Sequence, residues 1–433
     1  MKRLISAFAA VFALVLVAKG SGALKEIAIA SQFGTTPVVD LYVLAFTVAT
    51  WPAAVLMSIL TISLTPILST TSARSDPHLD ALLAQLLTIS VALGLAMGGF
   101  FFFLFPMLAQ NVYGSVASTR ELGASSILVF MTLTAMFALP VALATVLVIG
   151  KARNVGTLLE GMPSLVLFLL LSSPLAAAEV LGIGTALGFA LQLGLLLWVQ
   201  RATLSTLRFA VPATNIHWAT IRRGMSYSAF GYSILAMAPI VEQLVASTLG
   251  VGAISSLGYA SRITALATGL VVTAINRVSL PYFSRRFAGD DHPGPSVAQV
   301  TVGFLLTGAV MTIAMGWLAR PLVVLIFERG EFIAGDTAVV AHLLQYNLTQ
   351  LAPYFVSVVL SAELAARGRF REIFISCLIG FTVRILAALV AARFVGLPGV
   401  ATAATGGYLA MTAYLLWVTL RHSPATGKLG GPQ

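Results

Sequence analysis

Charged residues inside long apolar stretches are the first candidates for chemistry in this sequence. Lys19, Lys25 and Glu26 fall within one such stretch near the beginning of the chain, and Arg262 lies in another, with no acidic residue within one helical turn. A charge near the centre of a bilayer costs at least about 2.5–3.5 kcal/mol on insertion scales, so it is retained where it faces a partner or a water-filled cavity. Lys and Arg bind phosphate well. If these stretches cross a membrane, the pattern therefore predicts a cavity that binds an anion.

Each of these residues also has a structural alternative. Lys19 and Glu26 are seven residues apart and share one face of a helix, so they could form an ion pair that only supports packing. Lys25 points about 120° away from that pair and could extend to the outer interface. Further charged candidates are Asp40 at the mouth of the second stretch, and Glu242, Glu363, Arg277 and Arg384 within later ones. For the glutamates the alternative is hydrogen-bonded packing between helices, and for Arg277 it is extension to the interface.

Composition assigns the chain to the membrane class. It is 58% hydrophobic and 9% charged, with a mean hydropathy of +0.97, whereas soluble domains carry roughly 25% charged residues. A helix needs about 20 apolar residues to cross a bilayer. Twelve segments meet this requirement: 4–33, 38–70, 81–110, 122–150, 158–174, 177–200, 219–248, 252–284, 296–327, 337–366, 371–393 and 398–420. The sequence therefore predicts an all-α polytopic membrane protein with about twelve transmembrane helices.

The distribution of basic residues predicts the topology. With the N-terminus in the cytoplasm, sixteen Lys and Arg lie on the inside and four in the outside loops. This bias follows the positive-inside rule and places both termini in the cytoplasm. The net charge of +10 is thus a topology signal, and because it is spread over short loops it does not indicate nucleic-acid binding. The N-terminal stretch could pass for a signal peptide, but its apolar pattern resumes after Glu26, which favours a first transmembrane helix.

The two halves of the chain resemble each other. Residues 33–66 and 249–281 both open on an aromatic residue or Leu followed by Gly, and both close on a Ser-Leu pattern that ends in Pro. A duplicated membrane unit with its substrate site between the repeats is a common transporter design. The pattern predicts an N-terminal lobe over 1–200, a cytoplasmic linker over 201–218, a C-terminal lobe over 219–421 and a cytoplasmic tail over 422–433. Six helices per lobe make the lobes parallel, pairing Pro66 with Pro281 and Pro140 with Pro353.

Several chemistries lack their residues in this sequence. The single cysteine, Cys377, excludes an intramolecular disulfide, and the five histidines show no i,i+4 pair, so no metal site is predicted. The sequence has no phosphate-binding loop for ATP, and no cofactor is predicted. The longest loops are too short for a catalytic domain outside the membrane. A transporter is therefore favoured over an enzyme.

Four short motifs resemble the MurJ/MviN family of lipid-linked oligosaccharide flippases, within the multidrug/oligosaccharidyl-lipid/polysaccharide exporter superfamily. The matching stretches are KGSGALKE at 19–26, FGTTPVVD at 33–40, YASR at 259–262 and IFERGEF at 326–332. The turn Ala366-Arg367-Gly368 is also similar to the family's. The resemblance covers about 400 residues in order. The chain departs from the family in its second helix, where a basic pair and a following Glu are replaced by uncharged residues 52–58, and it has about twelve helices where the family has fourteen.

The resemblance implies a flippase of the bacterial inner membrane. Its cargo would be an undecaprenyl-pyrophosphate-linked saccharide, either lipid II or a repeat unit of the exopolysaccharide or O-antigen type. Lys19, Lys25 and Arg262 would hold the pyrophosphate in a central cavity, with Glu26 and Asp40 beside them, and the membrane potential or an ion gradient would drive alternating access. Glu242, Glu363 and Arg384 are secondary candidates. The expected partners are the lipid-linked glycan, the bilayer and enzymes of glycan synthesis.

Three other functions stay open at this point. A drug/cation antiporter of the same superfamily would need titrating carboxylates, for which Glu26, Glu242 and Glu363 are the candidates. A membrane-embedded glycan polymerase or glycosyltransferase would act on the same lipid but usually needs a sizeable outside loop. A scaffold without transport would leave the buried charges unexplained.

Overall fold

The computed structural model of the chain describes residues 2–71, 77–107, 124–150, 155–173, 177–201, 227–287 and 296–421. Within these ranges the chain is built of α-helices and turns, with no β-strand. The all-α prediction is confirmed. The predicted linker beyond Arg201 and the predicted tail 422–433 lie outside the described residues.

Within the described residues, seven helices precede the linker. They are α1 (Lys2–Phe33), α2 (Pro37–Thr71), α3 (Pro77–Phe103), α4 (Ala124–Gly150), α5 (Val155–Leu159), α6 (Met162–Leu171) and α7 (Ala178–Val199). Gly34 ends α1 because it adopts a φ of 53°, a left-handed conformation that favours glycine. Pro37 then begins α2, since proline fits the first helical position, where no N–H partner is needed.

Nine helices are described between the linker and Arg421. They are α8 (Tyr227–Leu235), α9 (Ala238–Ser247), α10 (Ala253–Phe287), α11 (Val297–Trp317), α12 (Ala319–Phe327), α13 (Ala334–Leu348), α14 (Leu351–Ala366), α15 (Phe370–Phe394) and α16 (Leu397–Arg421). A capping box starts α11, in which the Ser296 hydroxyl accepts from the Gln299 N–H and the Gln299 side chain accepts from the Ser296 N–H.

The helices account for the twelve predicted transmembrane segments. Nine described stretches are long and apolar enough to cross a membrane. A shorter apolar helix at Val155–Leu171, α1 with 32 residues and α10 with 35 residues occupy the other three predicted segments. The chain is a polytopic membrane protein.

The chain divides into two compact units. Unit 1 contains Met1–Tyr259 and Arg320–Ala341, and unit 2 contains Ala260–Ala319 and His342–Gln433. The lobes 1–200 and 219–421 and their superposition stay predictions.

Interdigitated leucines pack one end of unit 1. The buried side chains that α2, α3 and α4 contribute are Leu60, Leu64, Leu68, Leu82, Leu83, Leu86, Leu143 and Leu147. Elsewhere in the unit, the Tyr42 and Thr185 hydroxyls lie 3.1 Å apart and join α2 to α7. Since lipid tails are as apolar as leucine, such close packing and interhelical hydrogen bonds stabilise a bundle in place of the hydrophobic effect.

Threonine hydroxyls join the helices of unit 2. Thr312 on α11 donates to the Leu348 carbonyl at 3.0 Å, and Thr412 on α16 donates to the Pro353 carbonyl at 2.8 Å. Both bonds use carbonyls near the break between α13 and α14, where regular helical bonding is interrupted. These bonds supply hydrogen-bond donors to backbone carbonyls at the interruption, inside the bundle.

Candidate functional site

A buried ion pair lies in the second half of α1. The Lys25 Nζ is 3.0 Å from Glu26 Oε1, and Lys25 is 6% exposed. The same ammonium lies 4.8 Å from the centroid of the Phe46 ring on α2, where the ring face attracts a cation. Glu26 therefore pairs with its neighbour Lys25, whereas the spacing of seven residues had suggested Lys19 as its structural partner. The long Lys side chain reaches the neighbouring carboxylate because both groups are turned into the protein.

Lys19 lies about two helical turns before Glu26 on α1, and its side chain is exposed. It interacts electrostatically with Glu160, which stands at the break between α5 and α6. Ser21 joins α1 to this break, because its hydroxyl donates to the Gly161 carbonyl at 3.1 Å. Sequence reasoning missed Glu160. The available signal was an acidic residue beside a glycine inside the otherwise apolar segment 158–174.

Asp40 holds the beginning of α10. Its Oδ2 accepts from the Gly252 N–H and its Oδ1 from the Ser255 N–H, each at 2.7 Å, and the residue is 1% exposed. The first N–H groups of a helix have no partner within the helix and carry a partial positive charge, so a carboxylate there is stabilising. Asp40 thereby positions α10, the helix on which Arg262 lies seven residues after Ser255.

The last turn of α1 and the residues that follow it pack against the segment between α12 and α13. The Glu331 N–H donates to the Ser31 carbonyl at 2.9 Å, and Gly330 comes so near that a β-carbon there would overlap the Ser31 carbonyl oxygen. The Thr35 hydroxyl donates to Asp336 Oδ1 at 2.6 Å. This contact explains the glycine in the IFERGEF motif.

Tyr259 joins the same turn to an aromatic cluster. Its hydroxyl donates to the Gly34 carbonyl at 3.0 Å. Its ring centroid lies 5.0 Å from that of Phe327 and 5.5 Å from that of Phe332, distances at which aromatic pairs attract. Residues 31–36, the start of α10 and the segment 327–336 therefore contact one another. Residues from three of the four sequence motifs, Gly34, Tyr259 and Phe332, thus meet in unit 1.

The remaining candidates lie in other surroundings. Arg262 on α10 is not covered by protein, and Glu242 is buried on α9. The Arg384 guanidinium lies 5.9 Å from the centroid of the Tyr408 ring. The side chain of Arg277 falls outside the described residues.

Glu363 joins two helices of unit 2 and is 0% exposed. Its Oε1 lies 2.5 Å from Arg367 Nη2, and its Oε2 accepts from the Thr419 hydroxyl at 2.9 Å. These contacts connect the end of α14 to α16, as the packing alternative describes. Among the described residues, no group of three or more His, Cys, Asp or Glu could hold a metal ion.

A comparison with models of protein families shows to which family the chain belongs. The model of the family "Lipid II flippase MurJ" matches residues 29–430. The chain belongs to the lipid II flippase MurJ family. The family assignment made from the four motifs is confirmed.

Individual members of the MurJ family match over shorter stretches. The probable lipid II flippase MurJ of Helicobacter pylori strain J99 is 25% identical over 178 residues, which cover 41% of this chain and 39% of the relative. The probable lipid II flippase MurJ of Rhizobium meliloti is 31% identical over 172 residues, covering 39% and 32%. The chain thus spans less than half the length of the curated relatives it matches.

Solved structures share the fold across nearly the whole chain. A lipid II flippase MurJ in an inward closed conformation superposes with a TM-score of 0.78 at 18% identity, covering 95% of this chain and 87% of the other. An inward-facing multidrug resistance MATE family transporter gives 0.68 at 14% identity, covering 94% of each chain. At these identities the similarity is one of fold, and it agrees with the superfamily resemblance.

Proposed function

We propose that this protein is a flippase that moves an undecaprenyl-pyrophosphate-linked saccharide from the inner to the outer leaflet of the bacterial inner membrane by alternating access. The observation that carries the proposal is the family match over residues 29–430. Lipid II is the first candidate cargo because the matched relatives bear its name. The uncharged stretch 52–58, where the family has a basic pair, keeps an exopolysaccharide-type repeat unit as the second candidate.

The cationic side chains supply the proposed anion site. Lys19, Lys25 and Arg262 bind the pyrophosphate of the cargo, since ammonium and guanidinium groups form strong charge-assisted hydrogen bonds to phosphate oxygens. Without cargo, Glu26 and the Phe46 ring offset the charge of Lys25. Binding replaces part of this support by a doubly charged headgroup. The membrane potential or an ion gradient drives the cycle.

The carboxylates support a flippase better than a cation antiporter. Glu26 is paired with Lys25 at 3.0 Å and Glu363 with Arg367 at 2.5 Å. Each of these carboxylates already has its charge offset by a basic side chain of the protein, whereas a cation antiporter needs carboxylates that are available to bind the transported cation. Asp40 in this proposal holds α10 in place, and Glu242 and Arg384 have secondary roles.

A transport assay tests the function. Expressed in a bacterium depleted of its own lipid II flippase, the protein is expected to restore growth and to deliver lipid-linked glycan to the periplasmic face, measured with an externally added glycan-modifying enzyme. A strain with the empty vector is the control. If glycan precursors stay on the cytoplasmic face although the protein is present in the membrane, lipid II is not the cargo. A parallel assay in a strain lacking an exopolysaccharide flippase then tests the second cargo, and failure in both would contradict the proposal.

Cysteine labelling tests the predicted topology. In a Cys377→Ser background, single cysteines placed near residue 213 and in the tail 422–433 are expected to react with a membrane-impermeant maleimide only after the cells are permeabilised, because the basic residues favour the cytoplasm. A cysteine in the segment 328–333 is expected to react in intact cells. Labelling of position 213 from the periplasm would contradict the topology.

A further inference from the structure

Two buried polar atoms, one on α2 and one on α9, have no hydrogen-bond partner within the described part of the chain. They are the indole Nε1 of Trp51 and the amide Oε1 of Gln243. One is a donor and the other an acceptor. Buried polar groups are nearly always paired, because an unmade hydrogen bond costs free energy, so each exception calls for an explanation.

Gln243 forms a contact between α9 and α2 in unit 1, and Trp51 lies one helical turn along α2 from that contact. The Gln243 Nε2 donates to the Thr47 hydroxyl at 3.2 Å, and Trp51 follows Thr47 by four residues on the same face of α2. Phe46, whose ring lies 4.8 Å from the Lys25 Nζ, directly precedes Thr47. The unpaired donor and acceptor therefore lie on, or against, the part of α2 that begins at the Lys25–Phe46 contact.

The chemistry of this contact suits a neutral polar ligand. An indole N–H donates to a hydroxyl or carbonyl oxygen, and an amide oxygen accepts from a hydroxyl or an amide N–H. Sugar hydroxyls and N-acetyl groups offer both partners, and the indole also supplies an apolar face. A phosphate offers only acceptors and would leave the Gln243 oxygen unpaired.

We propose that Trp51 and Gln243 form the subsite for the saccharide of the cargo, adjacent to the cation that binds its pyrophosphate. This inference rests on the proposed function. In the conformation described, neighbouring groups cover both atoms, so cargo enters when α9 shifts away from α2 during alternating access. Binding the saccharide then satisfies two groups that are unpaired before the cargo arrives.

Two lipid probes test the subsite on the purified full-length protein in lipid nanodiscs. One probe is a polyprenyl pyrophosphate that carries an N-acetylated disaccharide, and the other is the same polyprenyl pyrophosphate without sugar. The wild type is expected to bind the first roughly tenfold more tightly, the order of magnitude of one to two hydrogen bonds. Trp51→Phe keeps the ring but removes the donor, and Gln243→Met removes the acceptor. Each variant is expected to lose most of the preference, with its affinity for the sugar-free probe unchanged.

The controls separate a binding role from a structural one. Trp317→Phe makes the same substitution at a tryptophan of α11 that is 89% exposed, and it is expected to keep the wild-type preference. A preference that survives in both Trp51→Phe and Gln243→Met would overturn the inference, as would equal losses of affinity for the two probes. If the wild type transports lipid-linked glycan but binds both probes equally, the subsite alone is wrong. If it binds neither probe, the proposed function fails.

Discussion

Arg262→Ala is expected to abolish transport while the level of the protein in the membrane stays unchanged. Arg262 is not covered by protein, so its removal creates no cavity, and exposed substitutions usually change stability by less than about 0.5 kcal/mol. Its guanidinium supplies one of the cations proposed for the pyrophosphate, and a charge-assisted hydrogen bond to phosphate is about twice as strong as a neutral one. Arg262→Lys is expected to keep partial activity, since Lys retains the charge but loses the bidentate contact.

The measurement for Arg262 is growth of a flippase-depleted strain, with immunoblotting of membranes as the check on protein level. A Lys19→Ala/Lys25→Ala variant is expected to be at least as severe, since the second helix carries no basic pair. Because loss of Lys25 leaves Glu26 buried without its partner, the matched variant for that site also carries Glu26→Gln. Normal glycan export by Arg262→Ala would remove Arg262 from the anion site.

Asp40→Ala is expected to lower the stability of the protein strongly. The carboxylate accepts from the Gly252 and Ser255 N–H groups at 2.7 Å each, and hydrogen bonds to a charged group contribute about 1.5–3 kcal/mol each. Its removal leaves two buried donors unpaired at the beginning of α10. We therefore expect a loss of roughly 3–5 kcal/mol in the free energy of unfolding. Asp40→Asn is expected to lose less, since its amide keeps one acceptor.

Unfolding of the purified protein in detergent, followed by tryptophan fluorescence, measures the effect of Asp40. Ser296→Ala is the matched control, because Ser296 caps α11 at a more exposed position and a lost cap costs about 1 kcal/mol. If Asp40→Ala unfolds no earlier than Ser296→Ala, the two hydrogen bonds of Asp40 contribute no more to the free energy of unfolding than an ordinary helix cap.

The membrane class and the candidate cations could be predicted from sequence because both depend on local properties. Bilayer thickness requires about 20 apolar residues per helix, and hydropathy sums over neighbouring residues. The twelve predicted segments therefore correspond to described helices, including the interrupted ones such as 155–171. Lys19, Lys25 and Arg262 stood out because their charges interrupt apolar runs, and the four motifs were sufficient to indicate the family.

Helical periodicity could not assign the partners of these charges. It grouped Lys19 with Glu26. In the structure Glu26 forms its ion pair with Lys25, and Lys19 interacts electrostatically with Glu160. Periodicity describes one helix at a time, and a long flexible side chain can turn away from its own face when a neighbouring helix supplies Phe46. Glu160 escaped notice because its relation to Lys19 exists only after α5 and α6 pack on α1.

What the sequence determined by itself is therefore the all-helical membrane architecture, the family and the presence of charge inside the apolar segments. The tertiary structure decided which groups those charges meet. Asp40 and Gly252 are 212 residues apart in the chain yet form a hydrogen bond of 2.7 Å. Thr47 and Gln243 are 196 residues apart and form a hydrogen bond between α2 and α9. Such meetings depend on the packing of helices that are distant in sequence. Hydropathy and spacing do not encode that packing, because they are properties of single segments.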